Sequence, residues 1–279
     1  MWSGDRTVFN SNLEKYEVIF MGYYATKKIY PWLWAIHDPM DTYMYLVVGN
    51  NMALLYDTGY GIMPIEPAVR EITDLPVTVV LGHGHLDHAN GAYQFEEAWI
   101  GADDYELCLR HASRTGRRRV LERLATPPEG FDAETYIHRG AGNLKKLEDG
   151  QVFDLGGLTA EVVPMEGHTQ GSVGILVREK GVLLNSDAAN TCTWVFLAES
   201  TSIADYAAML ERVGTLPFDT FFIGHDTRPF AKEEYFKKFI SVAKSICVEK
   251  SRPFDRLPER EGRIYREGNV AVIFSRDKL

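Results

Sequence analysis

Apolar residues in this chain come in short runs, most of them β-branched or aromatic and bounded by Gly, Asn, Asp or Pro. Such runs read as strands over Tyr16–Met21, Thr42–Val48, Ala53–Tyr56, Val77–Leu81, Ala98–Ile100, Thr159–Pro164, Ser172–Val177, Gly181–Asn185, Thr220–Ile223 and Val270–Phe274. Helical spacing fits Ile65–Ile72, Ala102–His111, Arg114–Leu124, Ile203–Gly214 and Lys232–Glu249. Gly49-Asn50-Asn51 has the composition of a hairpin turn, and Glu179-Lys180-Gly181 plays the same part in the second half. Strands dominate, with helices inserted between them. No linker rich in Pro, Gly or Ser divides the chain. Each half carries a hairpin, a His-bearing turn and a helix, the pattern of two related halves stacked face to face. The expectation is a single domain over 1–279, with a helical insert at about 102–150 and a C-terminal helix plus hairpin at about 232–275. The insert is a candidate lid or homodimer contact, and the hairpin within Arg263–Phe274 is a candidate partner for a sheet edge or a second subunit.

Composition narrows the setting. A hydrophobic share of 45% in 279 residues suits a globular protein with a substantial core. The net charge of −9 disfavours nucleic acid and anionic membrane surfaces as partners and leaves a small molecule as the expected substrate. Cys108, Cys192 and Cys247 are too sparse for a disulfide framework and read as buried small hydrophobes in a reducing compartment. The start, Met1 to Arg6, has no basic stretch leading into an apolar block. The most apolar candidate for a span, Met44–Tyr56, is broken by Gly49-Asn50-Asn51. A cytoplasmic protein is expected.

The densest chemistry lies in Leu81-Gly82-His83-Gly84-His85-Leu86-Asp87-His88, three histidines and an aspartate within six positions. The run follows a buried strand and precedes a helix-compatible stretch, so its side chains sit on a strand-to-helix turn. Imidazole and carboxylate are the donors that zinc takes, and unpaired imidazoles are not tolerated in a core strand. His83 and His85 alternate and so face one metal together, while Asp87 and His88 lie past the turn and suit a neighbouring metal. Each ion then needs more donors from downstream. His168 stands in the turn Gly167-His168-Thr169-Gln170-Gly171-Ser172, Asp187 follows the strand Val182–Ser186, and His225 follows Phe222-Ile223-Gly224. Taken singly, His168 reads as a loop histidine, His225 as a surface residue and Asp187 as a cap. Their order and contexts make the metal reading.

The order His-x-His-x-Asp-His, then Gly-His-Thr-x-Gly-Ser, then Asp after an apolar strand, then Gly-His resembles the metallo-β-lactamase superfamily, over about Asp57 to His225. That resemblance implies an αββα four-layer sandwich, two mixed β-sheets flanked by helices, with metals at one edge. It implies a first metal on His83, His85 and His168, a second on Asp87, His88 and His225, and Asp187 bridging both. Asp57, in Tyr56-Asp57-Thr58-Gly59, matches the superfamily's strand-ending Asp-x-Gly, a residue that orients the ligand loop from behind. The implied cofactors are two divalent ions, zinc first, with iron or manganese accepting the same donors. The implied reaction is hydrolysis of a small ester, thioester, lactone or amide by a metal-bridging hydroxide, with Asp87 orienting the nucleophile. Hydroxyacylglutathione hydrolases and quorum-signal lactonases are the similar small-molecule enzymes. Members that reduce oxygen carry glutamate where this chain has His85, so redox chemistry is disfavoured.

Two alternatives stay open: a metal-dependent phosphodiesterase or nuclease of the same fold, and a non-catalytic metal-binding sensor. The basic run Arg110–Arg119 is the one feature that favours nucleic acid; it reads otherwise as a solvated helix face or as an anion contact for the substrate through Arg117. The aromatic, proline-bracketed stretch Tyr30–Met40 reads as a loop, and its Trp32, Trp34 and His37 are candidate pocket residues. Trp194, shortly after Asp187, is another, with core packing as its bland alternative. His111 and His138 are expected at the surface.

Overall fold

Thr42–Val48 and Ala53–Tyr56 pair antiparallel across the Gly49-Asn50-Asn51 turn, where Gly49 N–H donates to the Met52 carbonyl at 3.0 Å. Ala53–Tyr56 then runs parallel to Val77–Leu81, and the crossover helix Glu66–Ile72 carries Pro67 in its first turn, where a missing N–H costs nothing. The computed structural model describes residues 6–11, 14–255 and 261–279. The first sheet has nine strands in chain order: Arg6–Ser11, Glu14–Met21, Tyr24–Tyr30, Leu33–Asp38, Thr42–Val48, Ala53–Tyr56, Val77–Leu81, Ala98–Ile100 and Leu144–Lys146. The second has six: Val152–Asp154, Thr159–Pro164, Val173–Val177, Val182–Leu184, Thr220–Ile223 and Asp226–Ala231. A third sheet of four places Cys192–Val195 beside Val270–Phe274, Gly262–Glu267 and Arg252–Phe254.

The first two sheets face each other. Leu33, Ala35, Tyr45, Val47, Leu54, Tyr56 and Val80 from one pack on Ala160, Val162, Ile175, Leu184 and Phe222 from the other. The outer face of the first is covered by Glu66–Ile72 and by Tyr105–His111. Helices Ile203–Gly214 and Lys232–Ser245, with one face of the third sheet, cover the second. This is the αββα layering. Tyr56 ties the layers by donating its hydroxyl to the Val173 carbonyl at 2.6 Å, and the Tyr45 hydroxyl lies 2.9 Å from the Ile223 carbonyl and 2.8 Å from that of Asp226.

Several expectations change. Tyr30–Met40 is not a loop: Leu33–Asp38 is a strand between Tyr24–Tyr30 and Thr42–Val48, and the prolines flank it. Its apolar positions are buried by sheet packing, which the proline spacing masked. The 102–150 stretch carries helices Tyr105–His111, Arg114–Arg123 and Ala133–Ile137, but its end returns to the first sheet as Leu144–Lys146, parallel to Ala98–Ile100. The terminal hairpin forms and pairs within its own chain: Val270–Phe274 runs parallel to Cys192–Val195.

Candidate metal centre

Four chain segments deliver the chemistry to one edge of the sandwich, each just beyond a strand. Val77–Leu81 releases the His83–His88 turn, Ala53–Tyr56 releases Asp57, Val182–Leu184 releases Asp187, and Thr220–Ile223 releases His225. The turn from Pro164 to Val173 brings His168. Close backbone approaches dictate the glycines here. A Cβ on Gly84 would stand 2.9 Å from the Cys108 nitrogen, and one on Gly224 would stand 2.5 Å from His88 Cε1 and 3.0 Å from Asp187 Oδ1.

Three imidazoles converge on one point. His85 Nδ1 lies 3.1 Å from His83 Nε2 and 2.9 Å from His168 Nε2. A second group stands beside it: His88 Nε2 is 3.7 Å from Asp87 Oδ2 and 3.6 Å from Asp187 Oδ2, and His225 Nε2 is 3.8 Å and 3.3 Å from the same two oxygens. Asp187 Oδ2 reaches both groups, at 3.9 Å from His168 Nε2. His83, His85 and His168 can hold one cation; Asp87, His88 and His225 can hold another. Among the described residues, His88 Nε2 and Asp187 Oδ1 are buried with no hydrogen-bond partner. Orphaned buried polar atoms are costly, and a cation between them is the group that satisfies both. The donor set therefore fits divalent metal.

Behind the ligands lies a layer of fixed hydrogen bonds. Asp57, at the left-handed φ of 68°, accepts from Gly82 N–H at 2.7 Å and holds His88 Nδ1 at 2.8 Å. Ser186, also left-handed at φ 48°, donates its hydroxyl to Asp57 at 2.7 Å. Such backbone is uncommon outside glycine and clusters at sites that the fold over-determines. His168 Nδ1 donates to the Trp194 carbonyl at 2.8 Å, and His225 Nδ1 to that of Asp41 at 2.5 Å. Both bonds leave Nε2 free to face the cluster. Buried Asp104 accepts from Gly84 N–H at 2.7 Å, Gly171 N–H at 2.9 Å and the Thr169 hydroxyl at 2.6 Å, so one carboxylate clamps the His83–His85 turn to the His168 turn.

The charges divide unequally between the two groups. Burial, then the neighbouring His88, His85 and His168, pushes His83 well below the usual imidazole range. Burial, then His85, takes His168 down to about 4. Burial works to raise Asp187, yet His225 and His88 hold its carboxyl well below the usual range, and His88 and His225 do the same for Asp87. Near neutral pH His83 and His168 are therefore neutral imidazoles and the two carboxylates are ionised, the ligating forms. Against its burial, His88 is raised well above the usual imidazole range by Asp57, Asp87 and Asp187, and Asp187 raises His225 to about 9, so a cation entering there displaces a proton from each.

Other sequence candidates fall in different places. Trp32 stacks on Tyr30 at 5.6 Å and bonds through its carbonyl to Val48 N–H. Val48 is six residues along the strand from Thr42, which adjoins the site, so Trp32 stands roughly 20 Å away and cannot wall the pocket. Trp34 packs on the outer core under Lys28. His37 is nearer, stacked at 4.6 Å on Tyr43, whose N–H donates to the Gly224 carbonyl at 2.8 Å. The Trp194 ring, with Phe254, Ile264, Arg252, Asp255 and Arg266, lines a groove of about 560 Å³ at the third sheet.

Arg117 is neither a solvated face residue nor a substrate contact. It is fully buried, lies over Tyr93 and Tyr136, and donates to the carbonyls of Asn90, Arg139 and Gly140. Its neighbours Arg110, Arg114, Arg118 and Arg119 are exposed. His138 is exposed and pairs with Glu134 as a surface residue would. His111 is not at the surface: it stacks on His85 at 5.0 Å and accepts Leu86 N–H on Nδ1 at 3.2 Å. Sequence reasoning missed Ser186, Asp104 and Glu199. Asp104 had a faint signal, an acidic pair directly after the Ala98–Ile100 strand; Ser186 and Glu199 had none.

The Metallo-beta-lactamase superfamily profile matches residues 37–225, and the chain belongs to that superfamily. Among curated proteins it is similar to human acyl-coenzyme A thioesterase MBLAC2, 24% identical over 61% of this chain and 66% of that protein. It is also similar to hydroxyacylglutathione hydrolase GloC of Haemophilus influenzae, 22% identical over 50% of this chain and 66% of that one. The chain thus spans just under two thirds of these relatives' length. A solved metallo-beta-lactamase family protein from Thermus thermophilus shares the fold, with a TM-score of 0.57 and 22% identity over 78% of this chain and 81% of that one. Within this superfamily fold, the described residues include a His/Asp cluster able to bind metal. No described helix is long and apolar enough to cross a membrane.

Proposed function

We propose that this protein is a cytoplasmic, dinuclear metal hydrolase that cleaves thioesters of small anionic carriers. The observation that carries this reading is the pair of buried, partnerless donors, His88 Nε2 and Asp187 Oδ1, inside a ring of seven His and Asp side chains. His83, His85 and His168 would hold one divalent ion and Asp87, His88 and His225 the other, with Asp187 shared; zinc suits these donors best. Bound there, the ions supply Lewis acidity and an ionised water at neutral pH. The chain's own residues do the rest. Asp87, ionised beside His88 and His225, accepts a hydrogen bond from the attacking water, orients it toward the carbonyl carbon and relays its proton to the departing sulfur as the C–S bond breaks. Asp57 and Ser186 keep His88 in one orientation. Thioesters are chosen over lactones and amides because both named relatives act on thiol carriers, coenzyme A and glutathione. The groove under Trp194 supports an anionic carrier: the Arg252 and Arg266 guanidiniums rim its aromatic floor and outnumber the one carboxylate there, Asp255.

Elemental analysis alongside a panel of acyl-coenzyme A, acylglutathione, lactone and phosphodiester substrates tests the reading. Two metal equivalents with thioester turnover, lost in Asp187→Ala, are expected. Turnover that survives metal removal, or activity on phosphodiesters alone, would overturn it.

A further inference from the structure

A carboxylate that stands outside the ligand ring aims at one of its members. Glu199 Oε1 lies 2.8 Å from His85 Nε2, on the edge of the ring opposite to Nδ1, the atom that meets His83 and His168. Both side chains are largely buried, 10% and 15% exposed. The neutral imidazole carries a single proton. A carboxylate accepting at Nε2 places that proton on Nε2 and leaves the Nδ1 lone pair for a cation.

The loop around Glu199 is built to hold it there. Gln170 N–H donates to the Glu199 carbonyl at 3.0 Å, and Thr201 N–H donates to that of Gly167 at 3.1 Å. The Ser200 hydroxyl donates to the His168 carbonyl at 2.7 Å. From the far end of the chain, the Lys278 ammonium bonds to the Ser200 carbonyl at 2.6 Å and the Ala198 carbonyl at 3.3 Å. The loop is therefore tied to the turn that carries His168 through Glu199, Ser200 and Thr201, and Lys278 holds it from the other side at Ala198 and Ser200. His111, stacked flat on His85, closes the remaining face of that ring.

We infer that Glu199 is a positioning residue for metal binding: it sets the tautomer and orientation of His85, and the last residues of the chain set Glu199 through Lys278. The inference rests on the reading that His83, His85 and His168 hold a metal ion. Carboxylates placed behind a metal-bound imidazole typically contribute about 10–100-fold in metal affinity.

The test uses the full chain, stripped of metal and titrated with zinc against a chromogenic chelator. Glu199→Ala is expected to weaken the tightest zinc equivalent by at least about tenfold. Glu199→Gln, whose amide oxygen still accepts the Nε2 proton without the charge, is expected to fall between that variant and the parent. Melting of the metal-free variants should match the parent, because Ser200 and Lys278 keep the loop. A long-range proton–nitrogen spectrum of the metal-free protein reads the tautomer directly: the Nε2–H form of His85 is expected in the parent and its mixture with the Nδ1–H form in Glu199→Ala. Undiminished zinc affinity in Glu199→Ala, or an unchanged His85 tautomer, would overturn the inference. Should the parent bind no zinc, the metal reading fails, and the tautomer measurement still decides the role of Glu199.

Discussion

Arg117 shows how far one residue's role depends on what surrounds it. In the sequence it is one of five arginines between positions 110 and 119, indistinguishable from its neighbours. In the structure it alone is fully buried, where it satisfies three carbonyls that no other described side chain reaches. Removing it strands those acceptors away from water. Arg117→Ala should therefore cost about 3–5 kcal/mol in denaturant unfolding, and it should lower activity on charged and neutral substrates alike. A stable variant with reduced affinity for anionic substrates alone would restore the substrate-contact role. Cys108 was legible as a buried hydrophobe, and its burial, helped by Asp104, pushes the thiol up to about 12 from 9.0. An unfolded chain releases that proton near pH 9 while the native one retains it, so the native state binds more protons and loses stability as pH rises. The slope approaches about 1.4 kcal/mol per pH unit above pH 9, and buried tyrosines such as Tyr24 and Tyr45 add to it above pH 10. Cys108→Ala should flatten the stability curve between pH 9 and 10, as read by urea unfolding at each pH; an unchanged slope would show that the thiol ionises in place.

At the scale of elements, Ala53–Tyr56, Val173–Val177, Val182–Leu184 and Val270–Phe274, found from apolar runs, are buried on both faces, where composition and burial coincide. Ile203–Gly214 matches its helical spacing because Ile203, Tyr206, Ala207, Leu210 and Val213 form one buried stripe. Among the strands missed are Tyr24–Tyr30, Leu33–Asp38, Leu144–Lys146 and Arg252–Phe254. Three of these carry lysines, prolines or arginines, Leu33–Asp38 is bracketed by Pro31 and Pro39, and neighbours in the sheet hold all four in place. Strand ends matter more than strand bodies for the chemistry. The turn after Thr220–Ile223 passes so close to His88 and Asp187 that only glycine fits at 224. Gly224→Ala should push those two donors apart and lower metal affinity and turnover at least about tenfold, with little change in the fold's circular dichroism. Parent-like zinc binding in that variant would mean the turn can yield without disturbing the ligands.

For the whole molecule, the ligands come from both sheets, so metal and fold are thermodynamically linked. Any ion bound by the native chain but not the unfolded one stabilises the native state, by about 4 kcal/mol at a thousandfold excess over its Kd. Chelation should accordingly lower the melting temperature by roughly 10 °C in scanning calorimetry, and zinc should restore it. Identical melting with and without chelator would argue that the cluster holds no ion in solution. The clustering of Asp57, Asp87 and Asp187 at one edge in a chain of net charge −9 points the same way, since these carboxylates repel each other until a cation lies between them.

The sequence alone determined the donors and their approximate place. His, Asp and Gly directly after apolar runs are local signals, because a strand end dictates where the next side chains go. The period of its apolar positions marked strands, helices and two related halves, and the resemblance carried by the donors implied the αββα layering. Only the tertiary structure decided which charged residues are interior. Arg117, Asp104, Glu199 and Lys278 acquire their roles from partners far along the chain, such as Asp104 with Gly171 and Lys278 with Ser200. A hydrogen bond between distant segments leaves no periodic trace in the residues that make it. It exists only once the packing of two sheets has brought their turns together.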